Sequence, residues 1–240
     1  MAGIKSKYRR ILLKLSGEAL AGDKGFGIDV QVVQRTAREI KEIVALGVRL
    51  GIMVGGGNIF RGLADSARGM DRIQADYLGM LATLFNAVAI KEALKNEKIP
   101  AQVLSALPVP VLTEAYVPSS AKALMEKGTV LLLAAGTGNP FFTTDTAAAL
   151  RASELGAEVI LKATQVDGVF DADPKLNPEA KIYKEISYAQ YLQSHLRAMD
   201  ATAVSLAREN KIPIIVFNGQ IKGNLKKIIL GTRIGTLIKG

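Results

Sequence analysis

Two lysines close apolar runs, Lys14 in ILLK and Lys162 in EVILK, and an aspartate, Asp145, closes the string FFTTD. Ammonium groups so placed can neutralise charge on a transferring phosphoryl group, and a carboxylate can orient them. Asp145 suits a helix N-cap or a water-bridged magnesium ion equally well. Three polar, glycine-bearing strings surround these residues: KLSGEAL from Lys14 to Leu20, GGGN from Gly55 to Asn58 followed by Arg61, and GTGNPFFTTD from Gly136 to Asp145. Successive glycines let backbone N–H groups approach an anion, and an arginine forks onto phosphate oxygens. Asn139 and the hydroxyls of Thr143 and Thr144 lead into a helix N-terminus. Neither GxxxxGK[ST] nor GxGxxG occurs in these strings, which disfavours a P-loop and a dinucleotide-binding Rossmann site.

Other chemistries fail on composition. The single histidine, His195 in YLQSHLRAMD, reads as a solvated residue on a surface helix, so no Ser-His-Asp or histidine–metal site can be built. There is no cysteine, which removes thiolate nucleophiles, disulfides and cysteine-held zinc. Phosphoryl transfer to a phosphate or carboxylate survives, because such an acceptor is deprotonated near neutral pH and needs positioning more than a base. Asp76, in ADYLGM, is either a solvated residue or a ligand for sugar hydroxyls. In KATQVDGVFDADP, Lys162 to Pro174, Phe170 can cover a base and Asp173 can bind ribose, or the stretch is an ordinary loop.

The elements that must position these residues alternate between short β-branched runs and longer helical patterns, which predicts an α/β sandwich with a mostly parallel sheet. Strands are expected at Ile11–Leu15, Leu50–Val54, Ala101–Leu104, Thr129–Ala134, Glu158–Lys162 and Ile214–Phe217. Helices are expected over Val30–Leu46, capped by Asp29 and stopped by Gly47, and over Asp71–Glu97, Ser119–Glu126, Asp145–Leu155 and Asp200–Asn210. The glycine strings then follow strands, where open parallel sheets bind ligands. No linker or repeat interrupts residues 1–240, which read as one domain.

A 240-residue chain with 49% hydrophobic residues has the material for a large core, which excludes intrinsic disorder. The net charge of +9 favours an anionic partner, and with aromatics at 5% a small phosphorylated ligand fits better than a base-stacking nucleic-acid groove. Lys14 and Gly17 break the apolar stretch after the basic start, so that segment is expected to stay in the mature protein. The weakly polar run Tyr77–Ile90, interrupted by Thr83 and Asn86, falls short of a membrane span and is expected as a buried helix, with no membrane partner.

Taken together and in order, KLSGEAL, GGGNIFRG, AGTGNPFFTTD and LKATQVDGVFDADP resemble the bacterial uridylate kinases of the amino acid kinase fold over nearly the whole chain. The second and third strings are specific to that family, whereas kinases of carbamate or amino-acid carboxylates share looser forms of the others. The resemblance implies a three-layer αβα sandwich that transfers the ATP γ-phosphoryl group to UMP with magnesium, giving UDP and ADP, in cytoplasmic pyrimidine nucleotide synthesis. It implies that Lys14, Leu15, Ser16, Gly17, Gly57 and Arg61 contact the ATP phosphates, and Thr164, Phe170 and Asp173 its nucleoside. Gly56, Asp76 and the loop of Thr137, Gly138, Asn139, Pro140, Phe141, Phe142, Thr143 and Thr144 would hold UMP. The resemblance also implies that the N-terminal part is mainly UMP-binding and the C-terminal part mainly ATP-binding. Lys14 and Lys162 would stabilise the transferring group, with Asp145 organising them and Asp200 a further candidate. The family implies a homohexamer of dimers packed through the Asp71–Glu97 helix, GTP activation and UTP inhibition; Gly22, Asp23, Lys24, Gly25, Phe26 and Gly27 match its GTP-response segment. Rival readings are a carboxylate or carbamate kinase on the same fold and a non-catalytic nucleotide-storage module.

Overall fold

The computed structural model describes residues 6–60, 69–174 and 176–240. Its strands are β1 (Arg10–Leu15), β2 (Arg49–Val54), β3 (Ala101–Ser105), β4 (Glu114–Ala115), β5 (Val130–Ala134), β6 (Val159–Thr164), β7 (Val169–Phe170), β8 (Ile182–Tyr183), β9 (Glu185–Ser187), β10 (Ile214–Asn218) and β11 (Thr236–Lys239). The helices are α1 (Gly17–Leu20), α2 (Val30–Val44), α3 (Arg72–Asn96), α4 (Pro118–Glu126), α5 (Thr144–Leu155), α6 (Tyr188–Gln193), α7 (Ala201–Glu209) and α8 (Asn224–Ile229).

Local chemistry sets the helix starts. The Asp29 carboxylate accepts from the N–H groups of Gln31 and Val32 to open α2, and Val33, Ala37 and Ile40 then form its buried stripe. Asp71 opens α3 in the same way, accepting from Ile73 and Gln74. Beyond α2, Gly47 takes a positive φ of 81° that most side chains would resist, and the chain turns into β2.

Nine strands form one sheet in the order β4-β3-β5-β2-β1-β6-β10-β11-β9, parallel throughout except for β10 against β11; β7 and β8 make a separate hairpin. Helices α2, α3 and α8 pack on one face and α4 to α7 on the other, each face with its own apolar core. The expected three-layer, mostly parallel architecture is therefore present. From β1 the chain builds outward on one side through β2, β5, β3 and β4, and later on the other through β6, β10 and β11. The carboxyl ends of β1, β2 and β6 thus flank the topological switch point, where α/β sheets open a crevice.

Four expectations need correction. The short elements β4, β7, β8, β9, β11, α1, α6 and α8 have no counterpart in the sequence reading, being too brief or too mixed in polarity to show a period. Asp145 is not the cap of α5; that position belongs to Thr143, whose hydroxyl accepts from the N–H groups of Asp145 and Thr146. His195 is exposed as expected, but it lies past the end of α6 with φ 49°, not on a helix. The Tyr77–Ile90 segment is buried along only one face: Leu78, Leu81 and Phe85 are exposed, Phe85 by 64%. Length and composition alone would let α3 cross a membrane, yet ten of its residues are buried inside the fold.

Candidate active site

Strands β1 and β6 are hydrogen-bonded neighbours in a register that sets Lys14 directly beside Lys162. Because side chains alternate along a strand, Leu13 and Leu161 enter the α2/α3 core while both lysines face α5. The strands continue past the lysines to Leu15 and Thr164, so these residues sit within the pleat and are 92% buried. Asp145, in the first turn of α5, meets both. Its Oδ1 lies 2.8 Å from Lys14 Nζ, and its Oδ2 accepts a short hydrogen bond from Lys162 Nζ. Each carboxylate oxygen thus faces its own ammonium group.

Electrostatics follow from this packing. Burial alone would raise the Asp145 carboxyl, but the two ammonium groups outweigh it and hold the group below its ordinary value of 3.8. Burial pulls Lys162 below its ordinary 10.5, the neighbouring Lys14 charge adds to that, and Asp145 opposes it. A second aspartate braces the assembly. Asp200 caps α7 through the Ala203 N–H at 2.8 Å and accepts from the hydroxyls of Thr143 and Thr146, tying the start of α5 to α7.

The glycine strings converge on the same end of the sheet. A side chain at Gly17 would place its Cβ 2.5 Å from the Gly55 carbonyl oxygen, so the first and second strings touch backbone to backbone. Gly56, Gly57, Asp76, Thr137, Phe142 and Thr144 line one cavity, and Thr144 is the residue before Asp145. Ser16 and Thr164 share a second, apolar-floored cleft on the α2/α8 side. Phe170 is half-buried on the β7–β8 hairpin and Asp173 is exposed in the loop that joins its two strands. That hairpin is held to β11 by Thr236, whose hydroxyl accepts from the Val169 N–H and donates to the Tyr183 carbonyl.

Some candidates stand differently from expectation. The Asp76 carboxylate is already engaged, accepting from Arg72 Nε at 2.9 Å and from the Phe141 N–H at 2.7 Å, so it pins the loop tip. Asn139, Pro140 and Phe141 form that tip, with Phe141 63% exposed beneath the Arg72 guanidinium. Gly22 to Gly27 form a 3-10 turn and bend ending at Gly27, whose N–H donates to the Asn58 carbonyl at 2.8 Å; Phe26 is exposed. Arg61 lies outside the described residues.

Several contributors escaped the sequence reading. Arg151, buried on α5, donates to the Gly136 carbonyl and to Glu154 and stacks on Tyr116 at 3.9 Å. Tyr116 in turn donates to Glu154; burial first, then that carboxylate, pushes its phenol well above its ordinary value. Thr83 on α3 accepts the Ala135 N–H at 2.8 Å, and Asn86 pairs with Asn58. The signal for the α3 pair was present in their interruption of an otherwise apolar run; Arg151 offered none.

A model of the amino acid kinase family matches residues 9–218 of the chain. The structure is similar to that of a UMP kinase from Bacillus anthracis, 38% identical over 97% of this chain and 96% of that one, with a TM-score of 0.93. A UMP kinase from Ureaplasma parvum is 36% identical over 98% and 100% of the two chains, TM-score 0.91. A uridylate kinase from Archaeoglobus fulgidus is 31% identical over 95% and 99%, TM-score 0.73.

Proposed function

The chain belongs to the amino acid kinase family, and from that premise we propose that it transfers the γ-phosphoryl group of ATP to UMP, giving UDP and ADP. The observation that carries this reading is the buried Lys14–Asp145–Lys162 constellation between the glycine strings; the similarity to proteins named UMP kinases supports the choice of acceptor. An oxygen of the UMP phosphate forms the new bond to the γ-phosphorus as the bond to the β–γ bridging oxygen breaks. That acceptor is already anionic, so no side chain need remove a proton. Lys14 and Lys162 neutralise the charge spreading over the transferring oxygens, and Asp145 keeps the two ammonium groups converged.

In this reading Ser16, Gly17, Gly57, Arg61 and Thr164 serve ATP, with Phe170 and Asp173 on its nucleoside, while Gly56, Asp76 and Thr137 to Thr144 serve UMP. Both sides draw on one domain: the ATP nucleoside falls to the C-terminal part, while the phosphate contacts of donor and acceptor come from both parts. The residues do not fit a protein-held magnesium site: among the described residues no group of three or more His, Cys, Asp or Glu could hold a metal, and both Asp145 oxygens face lysines. Magnesium would travel with ATP on its phosphate oxygens and water. The reading further makes this a cytoplasmic enzyme of pyrimidine nucleotide supply, assembled as a hexamer through α3, activated by GTP at Gly22–Gly27 and inhibited by UTP.

The test is ADP release from MgATP with UMP, dUMP, CMP, AMP, GMP, carbamate and acetylglutamate as acceptors, with and without GTP or UTP. Turnover with UMP that falls by about 10³-fold or more in Lys162→Ala is the expected result. Preference for carbamate or acetylglutamate would transfer the assignment to a carboxylate-type kinase, and no turnover with any acceptor would favour nucleotide storage.

A further inference from the structure

The GGGN string ends in an asparagine whose role in phosphate chemistry is not obvious. Asn58 is 1% exposed and Asn86, facing it from α3, is wholly buried. The two amides pair reciprocally: Asn86 Nδ2 donates to Asn58 Oδ1 at 2.7 Å, and Asn58 Nδ2 donates to Asn86 Oδ1 at 3.0 Å. Each has one further amide hydrogen. Asn58 directs its own to the Gly27 carbonyl at 2.7 Å, and Asn86 directs its own to the Gly55 carbonyl, also at 2.7 Å. Every amide hydrogen of the pair is therefore used, which fixes both side chains.

The bond to Gly55 has a consequence one residue later. In a trans peptide the carbonyl of one residue and the N–H of the next point to opposite sides of the chain. Drawing the Gly55 carbonyl towards Asn86 turns the Gly56 N–H the other way. That N–H has no hydrogen-bond partner among the described residues, and Gly56 lines the cavity shared by Asp76, Thr137 and Thr144. A side chain at Gly56 would bring its Cβ within 2.8 Å of both Ala82 and the Gly79 carbonyl, so only glycine lets this peptide lie against α3.

We infer that Asn86, oriented by Asn58, is a positioning residue that sets the Gly55–Gly56 peptide plane so that the Gly56 N–H donates to a phosphate oxygen of the acceptor. The inference rests on the acceptor being a nucleoside monophosphate. The only glycine–glycine pairs in the chain are Gly55–Gly56 and Gly56–Gly57. Protein labelled with carbonyl-¹³C and ¹⁵N glycine therefore reports these two amides alone in a carbonyl-correlated NMR spectrum. In the wild-type enzyme the Gly56 signal should move on adding UMP and stay in place on adding uridine, which lacks the phosphate. In Asn86→Asp, which keeps the shape but loses both donors, KM for UMP should rise about tenfold while KM for ATP stays within about twofold.

A Gly56 signal indifferent to UMP, in protein that phosphorylates UMP, overturns the inference. So does an Asn86→Asp enzyme whose two KM values rise together or not at all. Should that variant fail to fold, Asn58→Ala, which releases the Asn86 amide from its partner, must show the same UMP-selective rise in KM, and KM values that rise equally or not at all in that variant overturn the inference. Should the wild-type protein show no turnover with UMP, the functional reading has failed; a titration with inorganic phosphate then decides separately whether the Gly56 N–H is an anion donor.

Discussion

Asp145 concentrates the electrostatics of the site in one carboxylate, held between two buried ammonium groups. Replacing it by asparagine leaves Lys14 and Lys162 facing each other without a counter-charge, and loss of one partner from a buried ion pair costs about 3–5 kcal/mol. Asp145→Asn should therefore unfold at lower urea than wild type at pH 7 and lose nearly all turnover. The pH dependence has a definite sign. Because the folded-state value lies below the ordinary 3.8, the folded protein binds the proton less readily than the unfolded chain. The stabilisation is full above the ordinary carboxylate range and is lost as pH falls through the folded value. The gap in unfolding free energy between wild type and Asp145→Asn should accordingly narrow below pH 3.8; a gap that widens on acidification would contradict the ion-triad account.

Helix α5 joins the two jobs of the site. Its first turn carries Asp145, and farther along Arg151 reaches back to the Gly136 carbonyl, at the start of the loop that leads into the helix. Arg151→Lys keeps the charge but loses the planar fork and the stacking on Tyr116. If the loop serves the acceptor, steady-state kinetics should show KM for UMP rising about tenfold with KM for ATP little changed, and calorimetry a loss of about 1–3 kcal/mol. The same helix shows where sequence reasoning stops. Its existence and its end at Gly156 were legible from period and punctuation, as were both ends of α3, since Asp71 and Glu97 do flank it. The lysines were legible as strand-end cations. Their pairing was not, because it depends on which strands become neighbours, and β1 beside β6 is a fact of topology. The role of Asp145 stayed open between cap and site because Thr143 and Asp145 are both good capping residues, and only the backbone turn decides between them. Arg151 was invisible because a basic residue in an alanine-rich helix looks like a solvated one until its carbonyl partner is known.

At the scale of the whole molecule, the outward stripe of Leu78, Leu81 and Phe85 on α3 is the feature that a single chain leaves unresolved. If assembly occurs there, Phe85→Asp should lower the sedimentation coefficient towards that of a 25.6 kDa particle. A wild-type protein that already sediments as that particle would remove α3 as an interface. The strand order carries a different consequence, one of time. Strand β1 lies at the centre of the sheet but is made first, and its second neighbour, β6, comes from far along the chain. At about 5–20 residues per second, a ribosome would add Lys162 roughly 7 to 30 seconds after Lys14. Throughout that interval the growing half-sheet carries β1 as an open edge, with the apolar residues Ile11, Leu12 and Leu13 on it. The strand that anchors the finished centre is thus an adhesive edge in the nascent one, and the two lysines meet only when that edge has been sealed.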